Sequence, residues 1–358
     1  MEELKYVGKT FERSDAARKV TGELEFVDDM YMPRMLYAQC VRSPYPHAKV
    51  ISVDMSEALK MPGVKCAICG DEYPNRAGLY LEDRYFMAKP GDTAKYMGEA
   101  VAAVAAETPE LAAEACKRIK VEYEELPAVT NALEGMKPDA PIIHPNLSKY
   151  KIAPIFLPEK DTNISHHYVL RKGDFDAACE QADHVFEHEF YIPHVQHVPL
   201  EPHVCIAKYD ADGKLTVWSC CQSPYAVRQA LSVAFELPLN KIRVVSPAVG
   251  GGFGSKAGTT LEGIVIPLAK HCQGRPVKLV YTREDEFVNA YVRQGMHAFI
   301  KTAVRSDGRI LGVKNKFVWD GGAYTEYGVN ITKAGGWASA GPYDIDNVWT
   351  DSYCVYTN

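Results

Sequence analysis

A chain of 358 residues is long for a single hydrophobic core and suits two domains. Its 47% hydrophobic and 24% charged residues are ordinary for a soluble globular protein. A net charge of -6 without any dense Lys/Arg cluster removes the electrostatic case for nucleic acid, and no stretch approaches the length of a membrane span.

The opening MEELKYVGKTFERSDAARKV holds no apolar signal-peptide core, so a cytoplasmic protein is expected. Its ten scattered cysteines then read as reduced thiols used as small hydrophobes. MLYAQCVRS (35–43) and KVISVDMS (49–56) alternate as strands, and the continuous apolar run EAVAAVAAET (99–108) predicts a buried strand. Thr108 and Pro109 open a helix as N-cap and first helical residue, and RIKVEYEEL returns to alternation. From Gly135 to Asn163 prolines replace periodicity, which reads as an extended linker. HVCIAKYDADGKLTVWSC is a hairpin, and SPYAVRQALSVAFEL is a helix capped at Ser223. After the strand NKIRVVS comes a glycine tract, then the helix TTLEGIVIPLAKHC, the strand PVKLVYT and a long hairpin turning at Ser306-Asp307-Gly308.

The tract SPAVGGGFGSKAG is the unusual stretch, because glycines cost backbone entropy and pack nothing themselves. A P-loop needs a hydroxyl after the lysine, and Ala257 stands there. Gly252, Gly254 and Ala257 fit the dinucleotide fingerprint G-x-G-x-x-G/A between a strand and a helix, although Pro247 ends the strand early. A third reading is a nest of exposed N–H groups around an anionic or oxygen-rich cofactor, with Phe253 walling off one side. The plainest alternative is a turn with Phe253 as a core plug.

VVSPAVGGGFGSK, preceded by WSCCQSPYAVRQAL, resembles the molybdenum hydroxylases, the xanthine dehydrogenase and aldehyde oxidase family. ARKVTGELEFVDDM, CVRSPYPHAKVISVDMSEALKMPGV, KYMGEAVAAVAAETPELAAEA, VEYEELPAV and VPLEPHVCIA extend the resemblance in order along nearly the whole chain. It implies an α+β protein: an α/β hammerhead-like domain over 1–134, the linker over 135–163, and the first, incomplete part of a mixed α/β molybdopterin-binding domain over 164–358. It also implies a cofactor site at Gln222, Gly251, Gly252, Phe253 and Gly254. Gln222 would approach the oxo group of molybdenum, and Gln222 and Phe253 would stand beside the metal without ligating it. Lys256 becomes a surface or pyrophosphate contact. Ala257 replaces a glutamate often found in purine-oxidising members, which argues against a xanthine-type substrate.

The implied reaction hydroxylates an N-heteroaromatic (nicotinate-like) or aldehyde carbon with oxygen from water. Hydride passes to a sulfido or selenido ligand on the metal, and electrons leave through iron–sulfur clusters and FAD. The cofactor that the resemblance implies is molybdopterin, as the cytosine dinucleotide usual in bacterial members. The family's catalytic glutamate and its R-G-[FY]-G segment belong to a part of the fold beyond Asn358. The chain is therefore expected to be one half of a split subunit or a truncated one, and the partners the resemblance implies are a second molybdopterin-binding subunit, an iron–sulfur subunit and an FAD subunit. Two readings from other classes stay open: a non-catalytic scaffold in a redox complex, and an NAD-dependent dehydrogenase built on Gly252, Gly254 and Ala257.

Other residues invite blander readings. Cys66-Ala-Ile-Cys69 is a lone CxxC in an alternating strand, so structural thiols are expected. His194, His197 and His203 lie in a segment broken by Pro193, Pro199 and Pro202, and Glu201 reads as satisfying a turn. Glu284, Asp285 and Glu286 read as a solvated helix start.

Overall fold

The computed structural model describes residues 4–358, so the first three residues of the expected 1–134 unit lie outside the described residues. In chain order the strands are β1 (Leu36–Arg42), β2 (Ala48–Asp54), β3 (Val64–Cys69), β4 (Thr93–Ala94), β5 (Ala100–Ala106), β6 (Lys120–Glu125), β7 (Ile164–Lys172), β8 (His184–Ile192), β9 (Val204–Tyr209), β10 (Leu215–Ser219), β11 (Ile242–Val245), β12 (Val277–Val280), β13 (Met296–Val304), β14 (Ile310–Asp320) and β15 (Asn347–Val355). They form a seven-stranded sheet, β11-β10-β9-β12-β1-β5-β3, a five-stranded sheet, β7-β15-β14-β13-β8, and a small sheet, β4-β2-β6.

The largest sheet draws on both halves of the chain, because β1 pairs in parallel with β12, Leu36 opposite Val277. β5 explains why this join is stable. All seven of its residues, AVAAVAA, are buried. Ala103 and Ala105 face the main core, while Ala102 and Val104 face a second core with Ala115, Cys116 and Ile119. A strand covered on both faces needs apolar side chains on both, which is what a continuous run encodes. The helix Pro109–Cys116 supplies that second cover, and the Thr108 hydroxyl oxygen accepts from Leu111 N–H as its cap.

The prolines of 135–163 leave little regular structure, yet Ile143, Leu147 and Phe156 are buried with Leu81, Val329 and Tyr356. The five-stranded sheet is built on the hairpin β13–β14 and carries the helix Gly328–Trp337 across β7 and β15. Its edge strand β8 is exposed along all nine residues.

All ten cysteines are free thiols. Cys220 and Cys221, just past β10, point into different cores, and Cys66 Sγ lies 3.4 Å from Cys272 Sγ. No helix among the described residues is long and apolar enough to cross a membrane.

One feature of the topology places the site. β10 and β11 are parallel neighbours, Val217 opposite Val244, so the loops leaving them emerge at the same sheet edge. β9 is antiparallel to β10, with Cys205 opposite Ser219, so the segment entering β9 starts at that edge too. Loops after parallel strands are where α/β sheets place ligands.

Candidate functional site

Three segments meet at that edge: 199–203 before β9, Cys220–Ser223 after β10, and the glycine tract after β11. The Gln222 N–H donates to Lys256 O at 2.8 Å, and Gln222 Oε1 accepts from Gly254 N–H at 3.0 Å. A backbone N–H needs an acceptor, so the amide oxygen faces the loop and the two Nε2 donors are left for something else. Gly252 makes this contact possible, since a Cβ there would lie 2.5 Å from Gln222 Oε1. Ser223 stands at the N-cap of the helix Pro224–Ala234, but its hydroxyl makes no capping bond.

Phe253 is 72% exposed, with φ of +55° between Gly251 at +94° and Gly254 at +101°. It is therefore no core plug. A non-glycine residue held left-handed costs about 1–2 kcal/mol, and here that conformation holds an aromatic ring out of the protein surface. Among the described residues the N–H groups of Gly251, Gly252 and Phe253 have no hydrogen-bond partner. They are an unfilled set of donors beside the Gln222 amide.

Two expectations need correction. Lys256 is neither a surface nor a pyrophosphate contact: its side chain is 0% exposed, and its ammonium lies 2.8 Å from Glu201 Oε2. The dinucleotide fingerprint fails on geometry, because the next helix begins at Glu262, so Gly252, Gly254 and Ala257 do not open it.

The acidic trio is also not simply solvated. Asp285 pairs with Arg42 at 2.9 Å and forms a capping box with the N-cap Thr282, and Glu286 is fully buried against His203. Burial works against ionising Glu286, but the ring and backbone N–H of His203 hold its carboxyl below the usual range. The other face of His203 reaches Ser255 O at 3.1 Å, so this pair braces the glycine loop from behind.

The loop forms one wall of a cleft of about 570 Å³. Phe253, Gly254 and Ala257 line it beside His197. The His197 Nδ1 is 3.1 Å from the Tyr291 carbonyl and so carries the proton, leaving Nε2 without one. Burial, with Arg293 and His203 adding, holds this imidazole below its ordinary range.

The second wall comes from distant segments. Arg84 pairs with Glu326 at 2.6 Å, Tyr291 Oη donates to Glu326 Oε1 at 2.8 Å, and Arg84 also reaches Thr259 Oγ1 at 2.9 Å. Sequence reasoning missed Arg84, Tyr291 and Glu326, since no motif or spacing links residues so far apart. Glu201 and Lys256 did carry a signal: opposite charges set inside apolar, Pro- and Gly-rich strings.

The donor set fits an oxygen-rich, anionic pterin cofactor. It presents three free backbone N–H groups and a side-chain amide that packs against the loop only because Gly252 has no Cβ. No group of three or more His, Cys, Asp or Glu side chains among the described residues is arranged to hold a metal ion.

Comparison with known proteins agrees with this chemistry. Residues 156–358 match the molybdopterin cofactor-binding domain family, and residues 21–127 match the a/b hammerhead domain of aldehyde oxidase and xanthine dehydrogenase. The nicotinate dehydrogenase large molybdopterin subunit of Eubacterium barkeri is 34% identical over 98% of this chain and 79% of its own length. The carbon monoxide dehydrogenase large chain of Hydrogenophaga pseudoflava is 32% identical, over 96% of this chain but only 43% of its own length. Among solved structures, quinoline 2-oxidoreductase from Pseudomonas putida 86 superposes with a TM-score of 0.87 at 27% identity, covering 99% of this chain and 45% of that one. Aldehyde oxidoreductase from Desulfovibrio gigas gives 0.87 at 27% identity, covering 96% of this chain and 38% of that one.

Proposed function

The chain belongs to the xanthine dehydrogenase and aldehyde oxidase family of molybdopterin-binding large subunits, and from that premise we propose that it forms one side of the cofactor site of a molybdenum hydroxylase. When bound, the molybdopterin supplies the redox-active metal centre for hydroxylating an electron-poor carbon with oxygen derived from water. The single observation carrying this reading is the Gln222 amide, held by Gly254 N–H with its own donors free, next to the unpartnered N–H groups of Gly251, Gly252 and Phe253.

In this reading Gln222 directs its Nε2 donors at an oxygen of the cofactor. The N–H groups of Gly251, Gly252 and Phe253 orient the pterin side, and the Phe253 ring keeps water from one flank of the reacting carbon. His197 offers an unprotonated Nε2 to the same cleft, able to accept a hydrogen bond from a bound molecule.

The substrate proposed is a planar N-heteroaromatic of nicotinate type, with an aldehyde as the alternative. Phe253, Phe287, Tyr291, Tyr324 and Tyr327 line the cleft and suit a flat ring, and Ala257 leaves room where a carboxylate would otherwise stand. The cytosine dinucleotide form, a sulfido or selenido ligand, and iron–sulfur and FAD partners complete the proposal, as does a second molybdopterin-binding region supplying the glutamate base.

Metal and pterin analysis of the purified assembly tests it, with equimolar molybdenum and pterin per chain expected. Pterin-free protein would return the chain to the scaffold reading. Gln222→Ala is expected to retain pterin and fold while turnover of the assembly falls on the order of 100-fold, the scale of one oriented donor in a dry site. Unchanged turnover would remove Gln222 from the mechanism.

A further inference from the structure

We propose that Glu201 is a positioning residue that sets the conformation of the cofactor loop; this rests on the functional reading above. Its carboxylate holds both ends of the loop. Oε2 accepts from Gly250 N–H at 2.7 Å and from Lys256 Nζ at 2.8 Å. The backbone joins in, with Glu201 N–H donating to Gly250 O at 3.1 Å and Glu201 O accepting from Lys256 Nζ at 2.8 Å. Gly250 is needed for this approach, since a Cβ there would lie 2.4 Å from Glu201 Cβ.

The same clamp reaches the site. Lys256 O is the acceptor for Gln222 N–H, so the residue tied to Glu201 also fixes where the Gln222 amide begins. Lys256 lies six positions after Gly250, and pinning both leaves the free N–H groups of Gly251, Gly252 and Phe253 on the arc between them. Glu201 makes no hydrogen bond to Gln222 or to these N–H groups, and its polar contacts are with Gly250 and Lys256. A buried ion pair adds little net stability against an apolar pair of the same shape, but it does fix geometry.

Two double variants, each removing both charges, isolate the loop contact. Glu201→Gln with Lys256→Met keeps an acceptor for Gly250 N–H, whereas Glu201→Leu with Lys256→Met removes it without leaving a buried charge. In the purified assembly the first is expected to keep pterin content within about twofold of the parent. The second is expected to lose at least about tenfold, and to speed hydrogen exchange at Gly250 by a similar factor, the scale of a hydrogen bond to a polar acceptor in a buried site. Equal pterin content and equal Gly250 exchange in the two variants would overturn the proposal. Absence of pterin in the parent would instead sink the functional reading, while the exchange comparison still decides the role of Glu201. If the leucine variant does not fold, Glu201→Asp decides: it draws the carboxylate back from both partners by one methylene, and the flexible Lys256 side chain can follow it whereas the Gly250 N–H, fixed in the backbone, cannot. Faster exchange there upholds the proposal, and unchanged exchange overturns it.

Discussion

In the glycine loop, whose Phe253 and Gly254 line the cleft, the N–H groups of Gly251, Gly252 and Phe253 have no protein acceptor, and Phe253 stands out of the surface in a left-handed conformation. On the second wall, Arg84, Glu326, Tyr291 and Thr259 direct their hydrogen bonds at one another. The contrast separates two jobs. Unfilled donors on a rigid loop are preorganised for a ligand, whereas charges that neutralise each other hold a shape. The two walls should therefore fail differently when changed.

The largest effect is expected at Gly252. In Gly252→Val the added Cβ would meet Gln222 Oε1 at 2.5 Å, so the loop and the Gln222 side chain must move apart. Such overpacking costs about 1–3 kcal/mol locally, but the functional consequence is the loss of the cradle. Pterin content should fall to background while the far-ultraviolet spectrum stays that of the parent. Full pterin occupancy in this variant would contradict the division of labour between the walls.

Glu326 is the matching test on the second wall. Glu326→Ala leaves the largely buried Arg84 guanidinium without its carboxylate, and breaking such a pair costs about 3–5 kcal/mol. A urea midpoint measures this. Arg84→Met combined with Glu326→Leu should recover most of the loss, because an apolar pair of similar volume replaces the ions. If the double variant is as unstable as the single one, the second wall is more than a mutually neutralised scaffold.

How far the sequence reached follows the same contrast. The loop wall was legible because backbone exposure is written locally: four glycines around Phe253, and Gln222 just ahead of a proline-started helix. The hairpin β9–β10, the doubly buried β5 and the Thr108 cap were legible for the same reason, as each depends on neighbours within a few residues. The pairing of β1 with β12, and the meeting of Arg84 with Glu326, join residues more than 200 positions apart, and no period or spacing encodes them. Lys256 and Glu286 were misplaced for a related reason. A charged side chain reads as solvated until its buried partner, here Glu201 or His203, is known.

The smallest effect is expected behind the second wall, at Asp83, and it appears as a dependence on pH. Asp83 Oδ2 accepts from Thr325 N–H, Thr325 Oγ1 and Tyr356 Oη, while Oδ1 is buried without a partner. Burial outweighs those bonds and lifts the carboxyl from 3.8 to about 6. The folded state thus holds the Asp83 proton more tightly than the unfolded chain does. The stability linked to this proton is fully present below pH 3.8 and is lost as pH rises through about 6. A shift of roughly two units corresponds to about 3 kcal/mol at most. Asp83→Asn keeps an acceptor for Thr325 and Tyr356 and has no charge to bury. It should match the parent near pH 4 and exceed it in denaturant midpoint near pH 8. A difference between parent and variant that stays constant across that range would show that Asp83 carries no buried charge, and that the second wall is held by the Arg84–Glu326 pair without help from behind.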